Sequence, residues 1–293
     1  MKKGLYLLLF CLLTVSCSVH DWDPRETEDV FHATLESNAD PDTRVYIDEH
    51  NKILWDEDDR VSIFNKKTYN QQFRFTGRTG ANSGDIEKVP NSSFVTGGDF
   101  PFIVAVYPYQ KSTNITNDDV LHLTLPAVQT YREGSFGRGA NTMVAVTEDE
   151  FLSFKNAGGF MVLKFYGDDV SVTSITLENL GTDRLSGKAY WKPTLEAYPE
   201  VTMDVSDQEG GTTVTLSCSP AVHLGSTKDD ATVFWLVVPP VSFTQGFRLT
   251  VELSDGRVFV KEATDPSILP DLYVERNGIL RIGAINVAFP SQS

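Results

Sequence analysis

Cysteine, cationic residues and long apolar runs are all scarce in this chain of 293 residues, and each scarcity excludes something. Three cysteines, at positions 11, 17 and 218, are too few for a disulfide framework, so stability has to come from burial of a core. Lys and Arg number 25 against 40 Asp and Glu, for a formal charge of −15. Phosphate binding needs clustered cations, so nucleic acid is not an expected partner. The apolar run Leu5 to Leu13 is too short to cross a bilayer as a helix. Alanine, at 15, is outnumbered by 29 Val and 27 Thr, which tilts the chain toward sheet, because β-branched side chains are stiff in helices and pack well on pleated surfaces. A composition of 41% hydrophobic and 22% charged residues is ordinary for a globular protein and too apolar for an acidic disordered chain.

What is present begins with an address. Met1-Lys2-Lys3, the apolar run and then Thr14-Val15-Ser16-Cys17 read as a cleaved signal, residues 1–16. Ser16 and Cys17 look like the lipobox of bacterial lipoproteins, in which cleavage falls between them and the Cys17 thiol is acylated; Thr14 stands where leucine is usual. The alternative is a plain secretory signal with an incidental cysteine. Cys11 is a poorer candidate, since Phe10 is too bulky for a cleavage site. Loss of Lys2 and Lys3 makes the mature chain more acidic still, so lipid and not charge must hold it on a membrane. Residues 17–30 are polar and acidic and read as a tether. Asp21 and Asp23 loosely match the acidic export signal of surface-exposed lipoproteins, which points to the outer face of the outer membrane.

The body reads as strands. Phe247 to Leu253 alternates apolar and polar, and Asp255-Gly256 before Val258-Phe259-Val260 predicts a hairpin with a type I′ turn. Leu121, Leu123 and Leu125 alternate in the same way. Further strands are expected at Phe31–Leu35, Val61–Phe64, Phe102–Tyr107, Phe160–Tyr166, Val170–Leu177, Thr212–Ser217, Val233–Val238 and Ile279–Phe289. Trp235, inside a continuous apolar run, predicts a strand buried on both faces. Only Glu148–Asn156 has helical spacing, one or two turns at a junction. Short strands with frequent turn signals predict an all-β fold of two β-sandwich domains, residues 31–155 and 156–293.

Candidate chemistry is sparse, and no catalytic, cofactor or metal residues are assigned. Gly181 to Ala189 spaces its glycines wrongly for a phosphate loop and lacks the hydroxyl after Lys188. Histidines 20, 32, 50, 122 and 223 form no ligand cluster, and His32 and His122 fall on the polar parity of their strands. Trp55-Asp56-Glu57-Asp58-Asp59 is the densest carboxylate run; it lacks the calcium-loop spacing and reads as a solvated turn. Cys218 alternates with Val214 and Leu216 and reads as a small buried residue. Tyr107-Pro108-Tyr109, Phe234-Trp235 and Tyr190-Trp191 are candidate aromatic platforms for stacking on sugars or proteins, although most aromatics are expected in the core.

Several segments taken in order resemble the fimbrillin-like proteins of anaerobic Gram-negative gut and oral bacteria. They are Thr43-Arg44-Val45-Tyr46-Ile47-Asp48, Leu54-Trp55-Asp56, Asp59 to Phe64, Tyr69 to Phe75, Ala105 to Tyr109, Leu123 to Tyr131, Phe154 to Gly159, Ser174 to Leu177, and Glu275-Arg276-Asn277-Gly278. The resemblance implies a lipoprotein precursor, two transthyretin-like Greek-key sandwiches, and a non-enzymatic subunit of surface fimbriae or an adhesin. Its partners would be other fimbrial subunits and surface proteins or glycans. It implies assembly by strand exchange, with Phe31–Leu35 as the displaceable strand and Ile279–Phe289 as the donor. The competing reading is a surface glycan-binding lipoprotein serving polysaccharide uptake, with Tyr190-Trp191 as its platform.

Overall fold

The computed structural model describes residues 30–36, 53–90, 97–195, 198–208 and 210–288. Ser16, Cys17, the signal, most of the tether, His20, His50, Thr43 to Asp48 and Phe289 lie outside the described residues.

The protein is all β. Among the described residues the only helical turn is a 3-10 turn at Leu269–Asp271. Seven strands form a closed barrel in the order Val30–Leu35, Phe151–Asn156, Met143–Thr147, Asp99–Tyr107, Arg60–Lys67, Gln71–Phe75 and Ser83–Lys88. The first strand closes it, running parallel to Phe151–Asn156 and antiparallel to Ser83–Lys88. The sandwich expected for this half of the chain therefore has no open edge, because every strand of the ring is paired on both sides. The same pairing corrects the role expected of Phe31–Leu35: it is a doubly paired strand with Phe31, Ala33 and Leu35 buried in the barrel, not a loosely held edge.

The helical expectation at Glu148–Asn156 is also overturned. Phe151–Asn156 is a strand whose Leu152, Phe154 and Asn156 alternate inward, since pairing with the first strand satisfies its backbone and rewards period two over local spacing.

The second half is a sandwich. A six-stranded sheet, in the order Val258–Ala263, Phe247–Leu253, Ser171–Asn179, Thr213–His223, Val128–Arg132 and Ser135–Phe136, is one layer. The other is built from Thr232–Val238, Gly159–Tyr166 and the short C-terminal strands Ile279–Arg281 and Ile285–Asn286. The single run expected at Ile279–Phe289 is thus two short pieces.

Gly159–Tyr166 and Thr232–Val238 serve both halves. Met161, Leu163, Phe165, Phe234, Leu236 and Val238 point into the sandwich core. Phe160, Val162, Trp235 and Val237, of opposite parity, join the barrel core with Trp55, Phe75 and Phe154. Alternation along a strand sends neighbouring side chains to opposite faces, so where the layer has a core on each side, Phe160 to Leu163 and Phe234 to Val238, it is apolar at every position, while Lys164 beyond the barrel core is exposed. Trp235, 4% exposed, is buried as its sequence context implied.

Strands also cross residue 155. Leu121–Leu125 pairs with Gly187–Trp191, and this small sheet covers the outer wall of the barrel through Leu121, Leu123, Ala189, Trp191, Phe64 and Val104. Val128–Arg132 in turn pairs in parallel with Thr213–His223.

The hairpin at Asp255-Gly256 is present with a different turn. Gly256 has φ of 86° while Asp255 is not in the positive region, and the Gly256 N–H donates to Leu253 O at 3.0 Å. Ser254-Asp255-Gly256 is a three-residue loop, a type I turn followed by a left-handed glycine, in place of the type I′ turn.

Candidate functional site

Two places combine unusual geometry with access. One is the mouth of the barrel; the other is the seam where the C-terminal strands meet the shared sheet.

The barrel mouth grows from the carboxylate-rich segment. Trp55 N–H donates to Ala81 O at 2.9 Å and Trp55 O accepts from Gly80, which fixes the indole against Phe75, at 5.2 Å between ring centroids, and edge-on to Phe154 and Tyr107. The chain then turns: Asp59 N–H donates to Asp56 O, and Asp58 takes a left-handed φ of 64° that its short polar side chain tolerates. Glu57 and Asp58 face solvent, as a solvated turn requires, but Asp59 does not, at 4% exposed. Its carboxylate accepts from Asp56 N–H at 2.9 Å, Arg138 Nε at 2.7 Å and the Tyr107 hydroxyl at 3.2 Å. Those partners are what hold a charge inside. Burial nonetheless pushes the Asp59 carboxyl above its ordinary range, with the Asp56 N–H and Arg138 pulling the other way. Burial and the neighbouring Asp59 charge push the Tyr107 phenol upward as well. Arg132 grips Asp56 with two bonds of 2.6 and 3.3 Å. A cleft of about 160 Å³ lies over this network, walled by Trp55, Phe136, Met143 and Asn141.

At the seam, Gly159 is the enabling residue. A Cβ there would collide with Glu275 O and Val274 Cγ1, so only glycine lets the turn Glu275 to Gly278 lie against the strand. Asn277 N–H donates to Gly158 O and Phe160 N–H to Gly278 O, both at 2.8 Å. Arg276 forms a bidentate pair with Glu36 at 2.7 and 2.8 Å, and its Nη1 also donates to Asn156 O at 3.1 Å. From there the chain runs parallel to Gly159–Tyr166 with Phe160 opposite Ile279 and Phe165 opposite Ile285. No second strand flanks the C-terminal pieces on their outer side among the described residues.

The remaining candidates are not brought together. His32, His122 and His223 sit on three different sheets. Among the described residues no group of three or more His, Cys, Asp or Glu is placed to hold a metal ion. Gly181 to Ser186 is a loop, and the Lys188 N–H donates to Asp207 at 2.8 Å, with its ammonium 3.5 Å from the same carboxylate. Cys218 is buried in the sandwich core, where desolvation pushes its thiol up to about 11. Tyr190-Trp191 is no platform: adjacent strand residues face opposite ways, and Tyr190 is exposed while Trp191 is buried. Phe234-Trp235 is divided between the two cores in the same manner, and Tyr107 is buried.

No protein-family profile matches the sequence, and no curated protein is significantly similar to it. Solved structures do align over most of the chain. A candidate cell adhesion protein of Bacteroides uniformis is 14% identical with a TM-score of 0.47, over 90% of this chain and 94% of its own. One of Bacteroides ovatus is 12% identical with a TM-score of 0.46, over 87% and 91%. A third, of Bacteroides fragilis, is 10% identical with a TM-score of 0.43, over 90% and 95%.

Proposed function

We propose that the chain is a fimbrillin-like surface lipoprotein, anchored through Cys17 to the outer membrane and acting as a structural and adhesive subunit that joins its neighbours by its C-terminal strand. The ordered resemblance over nearly the whole body supports the family reading. The observation that carries the assembly reading is the one-sided docking of Ile279–Arg281 and Ile285–Asn286 on Gly159–Tyr166. A short strand at a sheet edge holds few ladder bonds and can be replaced by, or given to, another copy without rebuilding the layer. Only this strand is assigned to exchange, since Val30–Leu35 is locked into the barrel from both sides.

A lock tests it without deleting core residues. Tyr166 and Asn286 are register partners, and Asn286 is exposed. The double variant Tyr166→Cys, Asn286→Cys should cross-link the strand to its own sheet when oxidised and abolish polymer ladders on mild gels, with reduction restoring them. Ladders that survive oxidation would refute C-terminal exchange. For the anchor, Cys17→Ala should move the protein from membrane to soluble fractions; unchanged retention would refute lipidation.

A further inference from the structure

Among the described residues, the protein blunts every sheet edge but one. The barrel is closed, the strands that end the other sheets are two or three residues long, and Thr232–Val238 is capped at Val237 by the Gln129 side chain. Val258–Ala263 has none of these devices. It is the outermost strand of the six-stranded sheet, its register with Phe247–Leu253 is unbroken, and it holds neither proline nor bulge. Leu253 N–H donates to Arg257 O at 3.0 Å, which sets the alternation of the ladder. Phe259 and Lys261 turn their backbone groups toward Phe247–Leu253, and Val258, Val260 and Glu262 turn theirs to the open side. Side chains follow the same parity. Phe259 packs on the sandwich core, whereas Val258 and Val260 are 50% and 52% exposed. An unpaired row of backbone groups beside exposed valines is a template for another strand.

We propose that this edge joins a second copy of the chain, Val258–Ala263 against its own counterpart, antiparallel about a two-fold axis at Val260. Charge selects both partner and register. Residues whose backbone groups face the open side must meet residues of the same kind, which leaves only registers whose axes fall on successive residues. With Val260 opposite Val260, Val258 meets Glu262 and Phe259 meets Lys261 of the other copy, and no like charges face each other. One step toward the turn sets Arg257 against Lys261; one step toward Ala263 sets Lys261 against Lys261. Arg257 and Lys261 also balance Asp255 and Glu262, so the edge is locally neutral on a chain of formal charge −15, and an acidic copy can approach here. An isologous contact closes on itself, so it pairs copies and does not extend a filament. A six-residue edge is small for a permanent interface, which sets the expected association at about 10–100 μM. The contact needs neither Cys17 nor the C-terminal strand, so either proposal can fail alone.

Sedimentation velocity of the purified full-length chain across that range should show monomer passing to dimer. Salt should raise the dimer fraction, because it screens repulsion between acidic copies. Val260→Lys and Val260→Glu should each weaken the dimer at least about tenfold by setting like charges across the axis, and an equimolar mixture of the two should restore it. Position 260 is half exposed, so both variants should keep the wild-type urea midpoint. Species formed by C-terminal exchange do not respond to position 260, so these variants read the edge alone. Amide exchange of the wild-type chain needs no variant to fold: Val258, Val260 and Glu262 should slow as concentration rises, while Phe259 and Lys261 stay unchanged. The proposal is overturned if the wild-type chain stays monomeric through the range, if salt weakens association, if a single variant associates as tightly as wild type, if the mixture does not recover, or if exchange at Val258, Val260 and Glu262 is indifferent to concentration.

Discussion

The side chain of Gln129 acts as a missing strand for Val237: its Nε2 donates to Val237 O at 2.6 Å and its Oε1 accepts from Val237 N–H at 3.0 Å, across 108 residues of sequence. Both residues are buried. Gln129→Leu leaves a backbone donor and acceptor dry, and should cost about 2–4 kcal/mol of stability in urea unfolding. A loss under about 1 kcal/mol would show that water reaches the edge of this strand.

Leu163 faces the sandwich core while Trp235, on the adjoining strand, faces the barrel core. Leu163→Ala should destabilise by about 2–5 kcal/mol, and tryptophan fluorescence, dominated by indoles of the barrel side, should report the whole of it in one transition. Two separate transitions would mean that the cores unfold independently.

Gly159→Ala should dislodge the turn at Glu275 to Gly278, because the new methyl meets backbone carbonyl oxygens that have no room to move. The expected cost is about 1–3 kcal/mol, concentrated in faster amide exchange at Ile282, whose N–H now donates to Val162 O at 2.9 Å. Unchanged exchange there would contradict the contact.

Burial raises the Asp59 carboxyl pKa in the folded chain above its unfolded value, so its ionised form costs stability at neutral pH. That cost is relieved as pH falls through the folded pKa toward the unfolded one. Asp59→Asn cannot titrate, so the wild-type chain should gain stability relative to this variant between pH 7 and about pH 4. Urea midpoints of the pair at both pH values measure it; a constant gap would show that Arg138 and the Asp56 N–H compensate the charge fully.

How much of this was readable in the sequence depends on how local the cause is. Alternation at Leu121 to Leu125 and Phe247 to Leu253 reports only which side of a strand is covered, and it needs no knowledge of the cover. The run Val233 to Val238 was readable as doubly buried, yet which core takes Trp235 and which takes Phe234 depends on sheets assembled from remote segments. Leu152 and Phe154 misled because a few apolar residues fit either period, and the partner that decided the matter lies far upstream in Val30–Leu35. Asp59 looked solvated because its neighbours are acidic; Tyr107 and Arg138, which bury it, lie 48 and 79 residues away.

The strand Gly159–Tyr166 has a mechanical consequence. Because Phe160 and Val162 grip the barrel core while Met161, Leu163 and Phe165 grip the other, it cannot be drawn out of either without opening both. Its ladder with Thr232–Val238 runs along it from Gly159 to Phe165, so load applied along the strand would shear many hydrogen bonds together instead of unzipping them singly. Load borne by this strand is therefore shared between both cores.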